Sequence, residues 1–289
     1  MPNILMLVPT TPNDFAASRG SGAANLLTPD PREVWQDSAV GSAATLDIDF
    51  GVATAIDTVF LGCIWNAVAG ATWTISGGLA GYGEFTIQAA SALRVADRAG
   101  RTSAMSHAFW HGDDVLARYV RIAVTQPAGE AALAIGALLA GLSFVPMFNQ
   151  EWGAGRGVKD TGTFTRLPTG GISVVEGARY GSYRWTLGDL TTAEADYLYD
   201  LQLDRGETRP MLVVEDPGAG AGLRSRIHYG GLVSLRAFER RNPAQTRWEF
   251  QIEDWSTEGD VLCPPAAPPV LTLTGEPLSL GGEILTIGA

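Results

Sequence analysis

Three histidines and two cysteines are all that the 289 residues provide. Two cysteines, Cys63 and Cys263, cannot build a disulfide framework. Cys63 stands in an apolar run and reads as a small buried hydrophobe, and Cys263 stands in a proline-rich spacer. Three histidines leave few candidates for a His-centred triad. Neither a nucleophile elbow nor a phosphate-loop lysine motif occurs. Basic residues are also short: 20 Lys and Arg stand against 31 Asp and Glu, a net charge of −11. That balance argues against a nucleic-acid partner and against a polybasic membrane surface. No apolar run approaches the roughly 20 residues of a spanning helix. The opening "MPNILMLVP" has no basic start and meets Pro9 early, so no signal peptide is expected, and folding is expected in a reducing cytoplasm.

What is present is turn chemistry and alternation. There are 35 glycines and 16 prolines, and long helical periods are scarce, which favours a β-dominated fold. In "ATLDIDFG", Leu46, Ile48 and Phe50 point one way and Asp47 and Asp49 the other, as in a half-buried strand. "IDTVFLGCIW" is continuously apolar, as a central strand should be. "ATWTISGG" places Trp73 and Ile75 on one face. "RYVRIAVTQP" separates Tyr119 and Arg121 from Val120, Ile122 and Val124. Short strands between turns suggest a β-sandwich.

One convincing helix follows, in "LTTAEADYLYDLQLDRGETRP". Thr191 is its expected N-cap, Glu194 completes a capping box, Leu190 and Ala195 form a weak staple, and Gly206 is the stop. "RIHYGGLVSLRAFERR" and "QTRWEFQIEDWS" read as antiparallel strands about Asn242-Pro243.

Residues 1–24 read as an extension, 25–153 as a jelly roll, 154–258 as a second β domain with one helix, and 259–289 as a proline-rich linker and a β arm. The arm is "VLTLTGEPLSLGGEILTIGA", a repeat of period seven. Its apolar pairs, Leu271/Leu273, Leu278/Leu280 and Leu285/Ile287, each share a strand face. Such an arm buries little alone, so it is expected to add strands to another chain's sheet edge or to wrap with equivalent arms.

His107 and His111 stand four apart but in strand or loop sequence, so no metal site is expected, and no cofactor. "GAGAG" at 218–222 reads as a hairpin loop. Carboxylates are abundant, yet no pair is marked as catalytic. Of eight tryptophans, Trp73, Trp185 and Trp248 read as core. Trp35, Trp65, Trp110 and Trp152 stand near segment ends or turns, where core packing competes with stacking on sugar rings or anchoring a partner. With Asn66 beside Trp65, these are the candidate glycan or partner contacts.

Two resemblances follow. Residues 25 to about 153 resemble a galactose-binding-like, discoidin-type jelly roll through "NLLTPDPREVWQ", "ATLDIDFG", "IDTVFLG", "ATWTISGG", "ARYVRIAV" and "LAIGALLAGLSF" in order. That resemblance implies sugar or lipid binding at loops. Residues from about 154 to 258 resemble β domains of tailed-phage distal or minor tail proteins. The carriers are "SYRWTLGDLTTAEADYLYDLQLDRGETRPMLVVEDP" and "RWEFQIEDW". The resemblances imply a structural, non-enzymatic component of a tail tip in the virion. Its partners would be tube, hub or fibre proteins and further copies of itself, with attachment to a host-surface glycan as an added role. The alternatives are a carbohydrate-binding module and a hydrolase with an accessory domain.

Overall fold

The computed structural model describes residues 3–100 and 102–255, and the backbone of four two-residue strands near the C-terminus. The expected class holds: the chain is β-dominated, its sheets are antiparallel, and α1 is the one α-helix among the described residues.

The chain opens with β1 (Leu5–Leu7) and β2 (Asp14–Ala17), then a 3-10 turn at Ala23–Leu27. The sandwich strands follow: β3 (Trp35–Gln36), β4 (Ala43–Trp65), β5 (Thr72–Gly78), β6 (Phe85–Ala92), β7 (Met105–Thr125) and β8 (Ala134–Gly141). Next come β9 (Ser143–Phe144), β10 (Gly155–Asp160), β11 (Thr163–Arg166), β12 (Ile172–Val175) and β13 (Arg179–Leu190). Helix α1 (Thr192–Arg205) precedes β14 (Met211–Val214), β15 (Ile227–Leu232), β16 (Glu239–Asn242) and β17 (Gln245–Asp254).

Two long strands make the sandwich. The first half of β4 pairs with β2 and with the end of β7, and its second half pairs with β8 and with the start of β7. The β4–β7 ladder slips between Asp49 and Thr54, where Gly51 takes φ 77°, and the pair passes from one layer into the other. Leu46, Ile48, Trp73 and Ile122 of one layer meet Val59, Leu61 and Ile135 of the other in a closed core. Asp47 and Asp49 point outward, as their alternation predicts, and pair with Arg121 at 2.6 Å and Arg118 at 2.9 Å.

A second sheet runs β10-β13-β17-β15-β14-β1-β9, with β16 on β17. Both faces of its central strands are covered. Leu5, Leu7, Leu212 and Val214 pack on Phe60, Ala137 and Leu139 of the sandwich. Ile4, Met6, Met211 and Val213 point the opposite way, toward Trp185, Trp248 and the Ala195, Leu198 and Leu201 face of α1. This double burial is why "LML" and "MLVV" are continuously apolar. The layers therefore stack as sheet, sheet, sheet, helix.

Residues 1–24 were expected to be an extension. The structure corrects this for Leu5–Leu7, which is a fully buried strand between β14 and β9. Three residues carry no visible period, so the loop chemistry after Pro9 dominated the reading. The helix expectation holds in detail. Thr191 Oγ1 accepts from Glu194 N–H, Glu194 Oε2 accepts from Thr191 N–H at 2.8 Å, and Gly206 ends the helix. β15 and β16 both pair with β17, as expected.

In the C-terminal repeat, β18 (Thr272–Leu273) pairs with β19 (Glu276–Pro277), and β20 (Ser279–Leu280) with β21 (Glu283–Ile284). The pairing joins successive phrases of the repeat into two small hairpins. Leu271, Leu278, Leu285 and Ile287 lie outside the described residues.

Candidate binding cleft

The sequence-based candidates do not converge. Trp35 is fully buried in the sandwich core, and its Nε1–H donates to the Arg19 carbonyl at 3.0 Å. It cannot stack on an external ring, which corrects its assignment as a contact. Trp65 is half-buried at the end of β4, opposite Met105 and Ala134. Asn66 beside it takes φ 64°, donates to the Ala132 carbonyl at 2.9 Å and accepts from Gln126 Nε2–H at 2.6 Å. It closes a loop. Trp110 lies in mid-β7 and packs against the sandwich core. Trp152 is fully exposed, in the segment between β9 and β10.

The histidines are structural as well. On strand β7, residues four apart stand about 13 Å from each other, so His107 and His111 cannot share a metal. Nδ1 of the buried His107 accepts from Cys63 N–H at 3.1 Å. Burial holds His107 well below its ordinary pKa, helped by the Arg224 charge. His111 Nδ1 lies 3.1 Å from Thr58 Oγ1 and 4.0 Å from Asp57. Both Asp57 oxygens accept from Ser143, N–H at 2.7 Å and Oγ–H at 2.6 Å, and the contact ties β9 to β4. Among the described residues no cluster of His, Cys, Asp and Glu could hold a metal. Among them, too, no helix is long and apolar enough to cross a membrane.

A groove of about 380 Å³ opens where the sandwich meets the second sheet. Asp30 and Arg32 line one side, Arg179 and Tyr180 the other, and Asp254 and Trp255 the end. Each wall has a local cause. Asp30 Oδ1 accepts from Arg32 N–H at 2.9 Å, which closes a tight turn, and both carboxylate oxygens receive the Arg32 guanidinium. Those bonds lower the Asp30 pKa. The turn sits directly on β8 because residue 136 is glycine: a Cβ there would collide with the Pro31 carbonyl. Tyr229 of β15 reaches across and donates its hydroxyl to the Pro29 carbonyl at 3.1 Å, so the two bodies hold this wall together. Trp255 N–H donates to the Tyr229 carbonyl at 2.9 Å, which fixes the indole at the end of β17.

Asp254 has a built support. Gly181 leaves room for the Tyr183 hydroxyl and the Asp254 carboxylate to approach over it. Burial, then the Asp254 charge and their hydrogen bond, raise the Tyr183 pKa, so the phenol stays a donor. The Tyr183 ring lies 3.6 Å, centroid to centroid, from that of His228. His228 Nε2 lies 3.3 Å from Glu215 Oε1, and its Nδ1 lies 3.9 Å from Asp254 Oδ1. Burial lowers the His228 pKa against the pull of Glu215, so the ring is neutral and Nε2–H donates. Burial pushes Glu215 up, but His228 and Arg156 outweigh it and keep it ionised. A chain of polar groups thus runs from the half-buried Glu215 to the groove.

Two aromatic rings, two carboxylates and two guanidiniums in one groove suit a ligand with apolar C–H faces and many hydroxyls. Sequence reasoning missed this site. Asp254 and Trp255 stood in the quoted "RWEFQIEDW", but the other walls lie far away in the chain.

No family profile matches this chain, and no curated protein matches it. Solved structures do resemble part of it. One is a CBM32 of AlyQ in complex with 4,5-unsaturated mannuronic acid: 19% identity, 46% of this chain, 98% of that one, TM-score 0.35. Another is chitosan-binding module 1 from a Paenibacillus sp. IK-5 chitosanase/glucanase: 15% identity, 46% and 98% covered, TM-score 0.35. A third is a Ruminococcus gnavus GH29 fucosidase with fucose: 14% identity, 45% of this chain, TM-score 0.34. The matched region spans only 25% of the fucosidase.

Proposed function

We propose that the protein is a non-catalytic saccharide-binding β-sandwich protein, and that the groove between its two bodies is the binding site. The observation that supports this is the pairing of Tyr180 and Trp255 with Asp254, whose carboxylate is braced from behind by the Tyr183 hydroxyl. Pyranose C–H faces stack on such rings, and a fixed carboxylate accepts from adjacent hydroxyls. The reading rests on the groove and not on the distant structural likenesses. The test is a glycan array probed with the full chain, followed by calorimetry on any hit. Trp255→Ala should weaken binding at least tenfold, while Trp35→Phe, in the core, should leave affinity unchanged. Absence of any glycan signal, or equal affinity in the Trp255 variant, would remove the proposal.

A second reading, a structural part of a phage tail tip with tail proteins as partners and the virion as location, draws on one observation. The β11–β12 hairpin carries apolar side chains that no described residue covers. Mass spectrometry of purified particles tests it, and absence of the protein from particles rejects it.

A further inference from the structure

The β11–β12 hairpin is amphipathic, though all eight of its strand residues are exposed. Phe164 stands opposite Val174, and Arg166 opposite Ile172. Cross-strand partners share a face, so Phe164, Val174 and Ile172 lie together, with exposures of 74%, 63% and 60%. Thr163, Thr165 and Ser173 take the other face, with Val175. A two-stranded hairpin is marginal alone, and an apolar face on one requires a surface to cover it.

A complementary surface stands on the same chain. Val145, Met147, Phe148 and Trp152 form an exposed apolar run between β9 and β10. Glu194 borders it, accepting from Met147 N–H at 2.6 Å and carrying no ion pair with a described residue. Arg166, the one charge on the apolar hairpin face, likewise has no such ion pair. The two patches lie at opposite ends of one hairpin. β10 leaves the run at Gly155, and β11, in a separate two-stranded sheet, ends at Arg166. Both patches are exposed in the structure, so neither covers the other within one chain.

We propose that the apolar face of the β11–β12 hairpin docks on the 145–152 run of a second copy of this chain, with Arg166 meeting Glu194. The contact is head-to-tail, so each copy offers one donor hairpin and one acceptor run. It is independent of the saccharide groove.

Sedimentation of the full chain over a dilution series tests this, with circular dichroism as the folding check. Wild type should self-associate. Phe164→Thr/Ile172→Thr, which keeps strand-forming residues, should be monomeric, and so should Phe148→Asp/Trp152→Asp. An equimolar mixture of the two variants should form a 1:1 dimer and grow no further, because each supplies the half that the other lacks. Thr165→Asp, on the opposite face, should behave as wild type. A monomeric wild type, unchanged association in the hairpin variant, failure of the two variants to pair, or loss of association in Thr165→Asp would each overturn the proposal. So would association that depends instead on residues 264–289, since that would make the C-terminal repeat the occupant.

Discussion

Strand β1 and the β11–β12 hairpin are both short β segments near opposite ends of the second sheet, and they meet opposite fates. Leu5–Leu7 is three residues long and wholly buried, while the hairpin has two four-residue strands, all exposed. Apolarity does not separate them, since Phe164, Ile172 and Val174 are as hydrophobic as Leu5. What differs is the neighbourhood. β1 enters a gap already flanked by β14 and β9 and closed above and below by the sandwich and α1. The hairpin follows the edge strand β10 as a separate two-stranded sheet, and all of its strand residues are exposed. Burial here is a property of position in the stack, which only the assembled fold defines.

The largest effect should come from breaking β1. Leu5 packs between the two bodies with no exposed surface. Leu5→Asp would bury an unpaired carboxylate beside Val214 and Phe60, a change expected to cost more than about 4 kcal/mol. Thermal or urea unfolding should show the second sheet lost or the whole chain unfolded. A melting temperature within a degree or two of wild type would mean that β1 is not part of the stack.

How much of this was legible in the sequence follows from the same contrast. Wherever one face is wet, the pattern sufficed: Asp47 and Asp49 against Leu46 and Ile48, or Thr191 and Glu194 at the helix start. Where both faces are dry, alternation vanishes, so "LML" passed as an extension. Trp35 failed for a related reason. Its place beside turns suggested exposure, but its Nε1–H finds the Arg19 carbonyl and the ring goes inside. The groove was illegible because its walls come from residues 29–32, 178–180 and 254–255, which only the packing of two bodies unites.

An intermediate effect should appear with acid, and it belongs to the buried interface. His107 and His228 are both neutral in the fold, with pKa values below the ordinary 6.5. As pH falls, the unfolded chain takes up these protons first. Stability is therefore full above about pH 6.5 and declines below it, by at most about 1.4 kcal/mol per pH unit for each histidine. Glu215, also lowered, adds its loss only below its ordinary 4.5. His107→Gln should flatten the decline between those two values, because an amide oxygen can still accept from Cys63 N–H without titrating. An unchanged acid limb in that variant would show that His107 does not drive it.

The smallest effect should come from the hairpin itself, and it completes the contrast with Leu5. Phe164 and Ile172 are largely exposed, so their replacement forfeits little burial. In Phe164→Thr/Ile172→Thr, threonine retains the branched Cβ that suits an extended strand. Monomer stability should then change by no more than about 0.5 kcal/mol, the range of ordinary surface substitutions. The comparison must be made at a dilution where wild type is also monomeric, since association stabilises the folded state by mass action. At higher concentration the two melting curves should separate, with wild type rising and the variant staying flat. A variant that melts lower even at high dilution would mean that the hairpin face packs on its own chain in solution. The difference between β1 and the hairpin would then be one of degree and not of position.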